Sequence, residues 1–65
     1  MKKVMTTEEK ILQAGRAQFS RSGYVATSMS DIAKEVGITK ASLYYFFKNK
    51  QALYLEILSN LIDRV

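Results

Sequence analysis

Three observations predict an all-α domain of four helices. Apolar residues recur at three- and four-residue spacing through most of the 65-residue chain, polar capping residues stand just ahead of four such stretches, and there is no proline to interrupt them. The length allows one modest core and no second domain.

The first helix is predicted to start near Thr7. Thr6 caps it, Glu9 completes a capping box three positions on, and Glu8 and Glu9 both lie at the end of the helix dipole that favours negative charge. Ile11, Leu12, Ala14 or Gly15, and Phe19 form its inward stripe, and Gly23 after Arg21 and Ser22 supplies a left-handed stop. Gly15 is a weak point, costing about 1 kcal/mol against alanine unless a neighbour approaches closely.

Tyr24 and Val25 make a short link to the second helix, about two turns long. Ser28 and Asp31 form its capping pair, and Met29, Ile32, Ala33 and Val36 carry its apolar stripe. Gly37 gives the positive φ for a sharp reversal, with Ile38 plugging the angle between this helix and the next. Thr39 caps a third helix from Lys40 to about Phe46, roughly 10 Å long at about 1.5 Å per residue. Asn49 caps the fourth, read from Lys50 to Val65. Its apolar set of Leu53, Ile57 and Leu61, widened by Tyr54, Leu58, Ile62 and Val65, is too broad for packing on one side only.

Two short capped helices joined by a glycine turn form a helix-turn-helix, an arrangement that puts the second helix into the major groove of DNA. Charge supports a polyanionic partner. The net charge is +4, and the window from Val36 to Leu55 holds Lys40, Lys48 and Lys50 with no acidic residue. Without cysteine or histidine the chain lacks disulfides, the usual zinc ligands and the commonest general base, so an enzyme is not expected and no cofactor or metal is assigned. No apolar run approaches the roughly 20 residues of a membrane helix, and the first residues do not resemble a signal peptide; the expected compartment is the cytoplasm.

The expected reading surface follows from helical periodicity. Leu43 and Phe47 share the inward face with Phe46 beside them, which leaves Lys40, Ala41, Ser42, Tyr44 and Tyr45 outward. Ala41 can touch a thymine methyl, Ser42 can exchange a hydrogen bond with a base edge, and Tyr45 can reach bases or the sugar-phosphate wall. Lys50, in the first turn of the fourth helix, is electrostatically disfavoured there, and a phosphate in front of it would explain its placement. Lys48 and Lys40 are assigned similarly. Thr39 adds a hydroxyl at the start of the reading helix. Lys2 and Lys3 are expected to be a frayed terminus.

From Ile11 to Leu53 the order of Phe19, Gly23-Tyr24, Thr27-Ser28, Asp31-Ile32-Ala33, Gly37, Leu43-Tyr44, Phe47, Lys50 and Leu53 closely resembles the amino-terminal DNA-binding domain of the TetR family of bacterial transcriptional repressors. The resemblance implies a homeodomain-like three-helix domain followed by the start of a longer fourth helix, covering residues 1–65. It implies sequence-specific binding of double-stranded operator DNA, association with the nucleoid when bound, a Tyr44 hydroxyl donated to the DNA backbone, and backbone contacts near Thr27, Ser28 and Met29. A following domain would dimerise and bind a small-molecule effector; neither that domain nor a dimer is expected of this chain alone. Phe46 stands where many relatives have histidine, and Arg16 and Gln18 where many are apolar, which implies a thinner first-helix stripe. The alternative is a helical protein-interaction module using the apolar face of the fourth helix.

Overall fold

The computed structural model describes residues 4–63, with side chains described through Asn60. The expectations for Lys2, Lys3 and Val65, and for the side chains of Leu61 and Ile62, lie outside those residues. Four helices follow in order: α1 (Thr7–Ser22), α2 (Met29–Val36), α3 (Lys40–Phe46) and α4 (Lys50–Asp63). No helix among the described residues is long and apolar enough to cross a membrane.

Each helix begins on the predicted cap. Thr6 Oγ1 accepts the Glu9 amide at 3.1 Å while Glu9 Oε1 accepts the Thr6 amide at 2.9 Å, a reciprocal capping box. Ser28 Oγ, Thr39 Oγ1 and Asn49 Oδ1 accept the amides of Asp31, Ser42 and Ala52 at 3.1, 3.0 and 2.8 Å. These bonds occupy amides that the first turn of a helix leaves without partners.

The two glycine stops differ. Gly37 has φ 87° and ψ 30°, the left-handed conformation expected, and its amide and that of Ile38 both donate to the Ala33 carbonyl. Gly23 corrects the expectation of a left-handed stop. Its φ is 88° but its ψ is 163°, an extended conformation at positive φ that is essentially restricted to glycine.

The core is one cluster. Ile11, Ile32, Leu43 and Leu53, one from each helix, are fully enclosed, and Ala14, Phe19, Met29, Ala33, Phe47 and Ile57 complete it. Leu12, Tyr24, Val36, Ile38 and Tyr54 pack partly buried around it. Ile38 thus fills the angle of the turn as its sequence position suggests. Gly15 is buried under α4, where a Cβ would come 3.1 Å from Ile57 Cδ1 and 3.3 Å from Leu53 Cδ2. The close neighbour that would justify a glycine there is present, and it is side chain.

Two polar and aromatic features fasten these helices. Gln18 is buried, and its Nε2 donates to Glu35 Oε1 at 2.7 Å and to the Asp31 carbonyl at 3.1 Å, joining α1 to α2. The first-helix stripe is not thinner for carrying Gln18; it is hydrogen-bonded there. Phe19, Tyr24 and Tyr54 form a triangle with centroid separations of 5.6, 5.2 and 4.9 Å, bringing together α1, the link and α4.

Candidate nucleic-acid interface

α3 is held by two inward side chains four residues apart. Leu43 is fully buried and Phe47, at the end of the helix, is 6% exposed. This anchoring turns the opposite face outward, where Lys40, Ala41, Ser42, Tyr44 and Tyr45 are all exposed. Tyr45 retains 84% of its accessible surface and Tyr44 44%, so the two tyrosines differ in how far they stand from the scaffold. Lys48, in the connector after α3, is also exposed.

Phe46 corrects the inward grouping. It is 38% exposed and meets the Tyr45 ring edge-on at a centroid separation of 5.3 Å. The helix turns about 100° per residue, so Phe46 lies four positions from Ser42 on the outward side and one from the Leu43–Phe47 line. The outer surface of α3 therefore carries an aromatic pair beside small and hydroxylated residues.

Thr27, Ser28 and Met29, where α2 begins, differ in their burial. Ser28 is exposed, with its hydroxyl engaged as the cap. Thr27 is only 2% exposed, and its Oγ1 donates toward the Gly23 carbonyl at 2.8 Å and the Gln18 carbonyl at 3.2 Å, leaving the side chain turned inward. Met29 belongs to the core at 6% exposure. The Thr27 hydroxyl thus holds the link's backbone, and the Met29 thioether fills the α2 side of the core, as its place in the apolar stripe predicts.

Lys50 reaches back to the link between α1 and α2. It is half-buried, and its Nζ donates to the carbonyls of Tyr24 at 2.8 Å and Thr27 at 3.0 Å, with Val25 at 3.5 Å, while lying 4.5 Å from the Tyr24 ring centroid. In the free chain the oxygens of the link supply partial negative charge to this ammonium. Sequence spacing gives no sign of this contact, because its ends are 23–26 residues apart and belong to no common periodicity.

The outward face of α3, with Lys40 and Lys48 at its two ends and no carboxylate on it, offers hydrogen-bonding and aromatic groups to a polyanion. Among the described residues no group of three or more histidine, cysteine, aspartate or glutamate side chains could hold a metal ion.

Residues 11–57 match the family profile of the bacterial regulatory proteins of the tetR family. The chain belongs to the tetR family. The matched region is the family's amino-terminal helix-turn-helix DNA-binding domain, and the family is one of regulators, not of enzymes. Among curated relatives, this tetR-family chain is 42% identical over 53 residues to the biofilm operon icaADBC HTH-type negative transcriptional regulator IcaR of Staphylococcus epidermidis, covering 82% of the chain and 29% of that relative. It is 47% identical over 47 residues to IcaR of Staphylococcus aureus strain Newman, and equally to that of strain COL, covering 72% of the chain and 25% of each. The chain thus spans between a quarter and three tenths of the length of these relatives. No solved structure gives a significant match.

Proposed function

We propose that this chain is the operator-binding domain of a TetR-like transcriptional repressor, with α3 lying in the major groove. One observation carries this reading: the exposed face of Lys40, Ala41, Ser42, Tyr44 and Tyr45 is free of acidic residues and is set on a helix whose other side is locked into the core by Leu43 and Phe47. A seven-residue helix of about 10 Å fits a groove about 12 Å wide. Ala41, Ser42 and Tyr45 take the bases, and Tyr44, Lys40 and Lys48 the sugar-phosphate backbone, with Thr39 and the exposed end of the Ser28 turn beside them. Repression is favoured because the staphylococcal relatives are named negative transcriptional regulators. Dimerisation and effector binding are assigned to sequence outside residues 1–65.

Selection of bound duplexes from a random DNA pool at two salt concentrations tests the reading. A shared motif should emerge, and affinity should fall steeply with salt, by a logarithmic slope of about 0.9 per phosphate neutralised. Recovery of random sequence at both concentrations would reject base reading. A second reading, an interaction surface on α4, is favoured by Leu55 and Leu58, which are 56% and 37% exposed. It requires self-association or partner binding that Leu55→Ser and Leu58→Ser abolish, measured by sedimentation.

A further inference from the structure

The outward side of α3 is built from two rows of residues four apart, Ala41 with Tyr45 and Ser42 with Phe46. At their far ends the rows close on each other, because the rings of Tyr45 and Phe46 meet at a centroid separation of 5.3 Å and an interplanar angle of 86°. Successive residues on a helix point about 100° apart and do not ordinarily face one another, so these two rings lean together across that gap. Their separation and angle are those of a favourable edge-to-face pair. The backbone beneath them is held on the inner side, where the Phe47 amide donates to the Leu43 carbonyl at 2.9 Å and both of those side chains are buried. Tyr45 keeps 84% of its surface and Phe46 38%, so the pair stands out as an apolar corner beside the hydroxyl of Ser42 and the methyl of Ala41.

We propose that Phe46 is a specificity-determining residue of the operator contact: braced edge to face with Tyr45, it completes a corner of two rings that takes the C5-methyl group of a thymine. The inference rests on the operator-binding reading and deepens it. A phenylalanine ring carries no conventional hydrogen-bonding group, so what it recognises is hydrocarbon, and the thymine methyl is the hydrocarbon group that base edges show in the major groove. Two rings set near a right angle touch such a group from two sides, where a single exposed ring would touch it from one. With Phe46 against it, the Tyr45 ring also has less rotamer freedom left to lose when DNA binds.

The test uses the 65-residue chain and a duplex obtained from the random-pool selection. Each thymine of the bound site is replaced in turn by deoxyuridine, which removes the methyl and leaves the hydrogen-bonding groups of the base as they were. With the parent chain one such replacement should weaken binding about fourfold, the worth of roughly one buried hydrocarbon group. That loss should fall below about twofold in Phe46→Ala and in Phe46→Leu, the second of which keeps apolar bulk without a ring, while preferences at the other base pairs persist. Without DNA, the Tyr45 ring protons should shift in the NMR spectra of both variants, because the ring current of Phe46 no longer reaches them. A parent indifferent to every deoxyuridine, variants that keep the fourfold loss, or Tyr45 signals that do not move would each overturn the proposal. Should Phe46→Ala fail to fold, Phe46→Leu decides the matter. A parent that still selects a motif confines the failure to Phe46, whereas a parent that prefers no duplex ends the operator reading and this inference with it.

Discussion

Gly15 of α1 and Ile57 of α4 meet so closely that a methyl group on the glycine would stand 3.1 Å from Ile57 Cδ1. Alanine would gain up to about 1 kcal/mol of helix propensity, and the crowding opposes that gain. Gly15→Ala should therefore leave stability within about 1 kcal/mol of the parent, whereas Gly15→Leu should cost about 1–3 kcal/mol. Ile57→Val removes the crowding atom. In a double-mutant cycle by thermal unfolding, Gly15→Ala should be better tolerated on the Ile57→Val background by at least about 0.5 kcal/mol. Strict additivity would mean that the two helices do not touch there.

Gly23 and Gly37 share a φ near 88° but differ in ψ, and this separates the cost of replacing them. The left-handed region of Gly37 admits other residues at about 1 kcal/mol, while the extended positive-φ region of Gly23 is nearly closed to them. A Cβ meets nothing within 4 Å at either position, so the comparison isolates the backbone. Chemical denaturation should show Gly23→Ala more destabilising than Gly37→Ala. The reverse order would contradict the described turn.

The Gln18 side chain joins α1 to α2 through Glu35 and the Asp31 carbonyl, and removing it leaves a carbonyl and a carboxylate without that donor. Gln18→Leu, of similar size, should cost roughly 1–3 kcal/mol despite its greater hydrophobicity. Glu35→Ala should cost less, because the Asp31 carbonyl remains for the amide. Urea unfolding of the two variants checks the order.

For recognition, Tyr45→Ala should alter preference among duplexes by about 1–3 kcal/mol at the bases it reads, and Tyr44→Phe should weaken all duplexes alike. Competition binding against a panel of single-base variants distinguishes them. An equal loss on every duplex from Tyr45→Ala would remove its assignment as a reader.

The legible parts of this fold are the local ones. Thr6, Ser28, Thr39 and Asn49 are readable as caps because each bonds an amide three residues away, and Leu43 with Phe47 because four-residue spacing places both on one side of a helix. Phe46 adjoins them in sequence, yet it stands part-exposed against the Tyr45 ring. The contacts of Lys50, Gln18 and Thr27 are not legible in the sequence for a different reason. Their partners lie 4–26 residues away across the link, whose path depends on the unusual ψ of Gly23, and no periodicity encodes that path. Thr27 shows the same effect at the candidate site, its side chain turned inward while its neighbour Ser28 faces outward, whereas the burial of Met29 follows from the apolar stripe of α2.

The triangle of Phe19, Tyr24 and Tyr54 gives this protein a built-in optical gauge. The chain has no tryptophan, and two of its four tyrosines sit in that triangle, so the near-ultraviolet circular dichroism of the folded chain should be dominated by rings from α1, the link and α4. Any movement of α4 away from α1 would register in that signal without a label, while Tyr44 and Tyr45, standing on α3, would report separately when a duplex covers them.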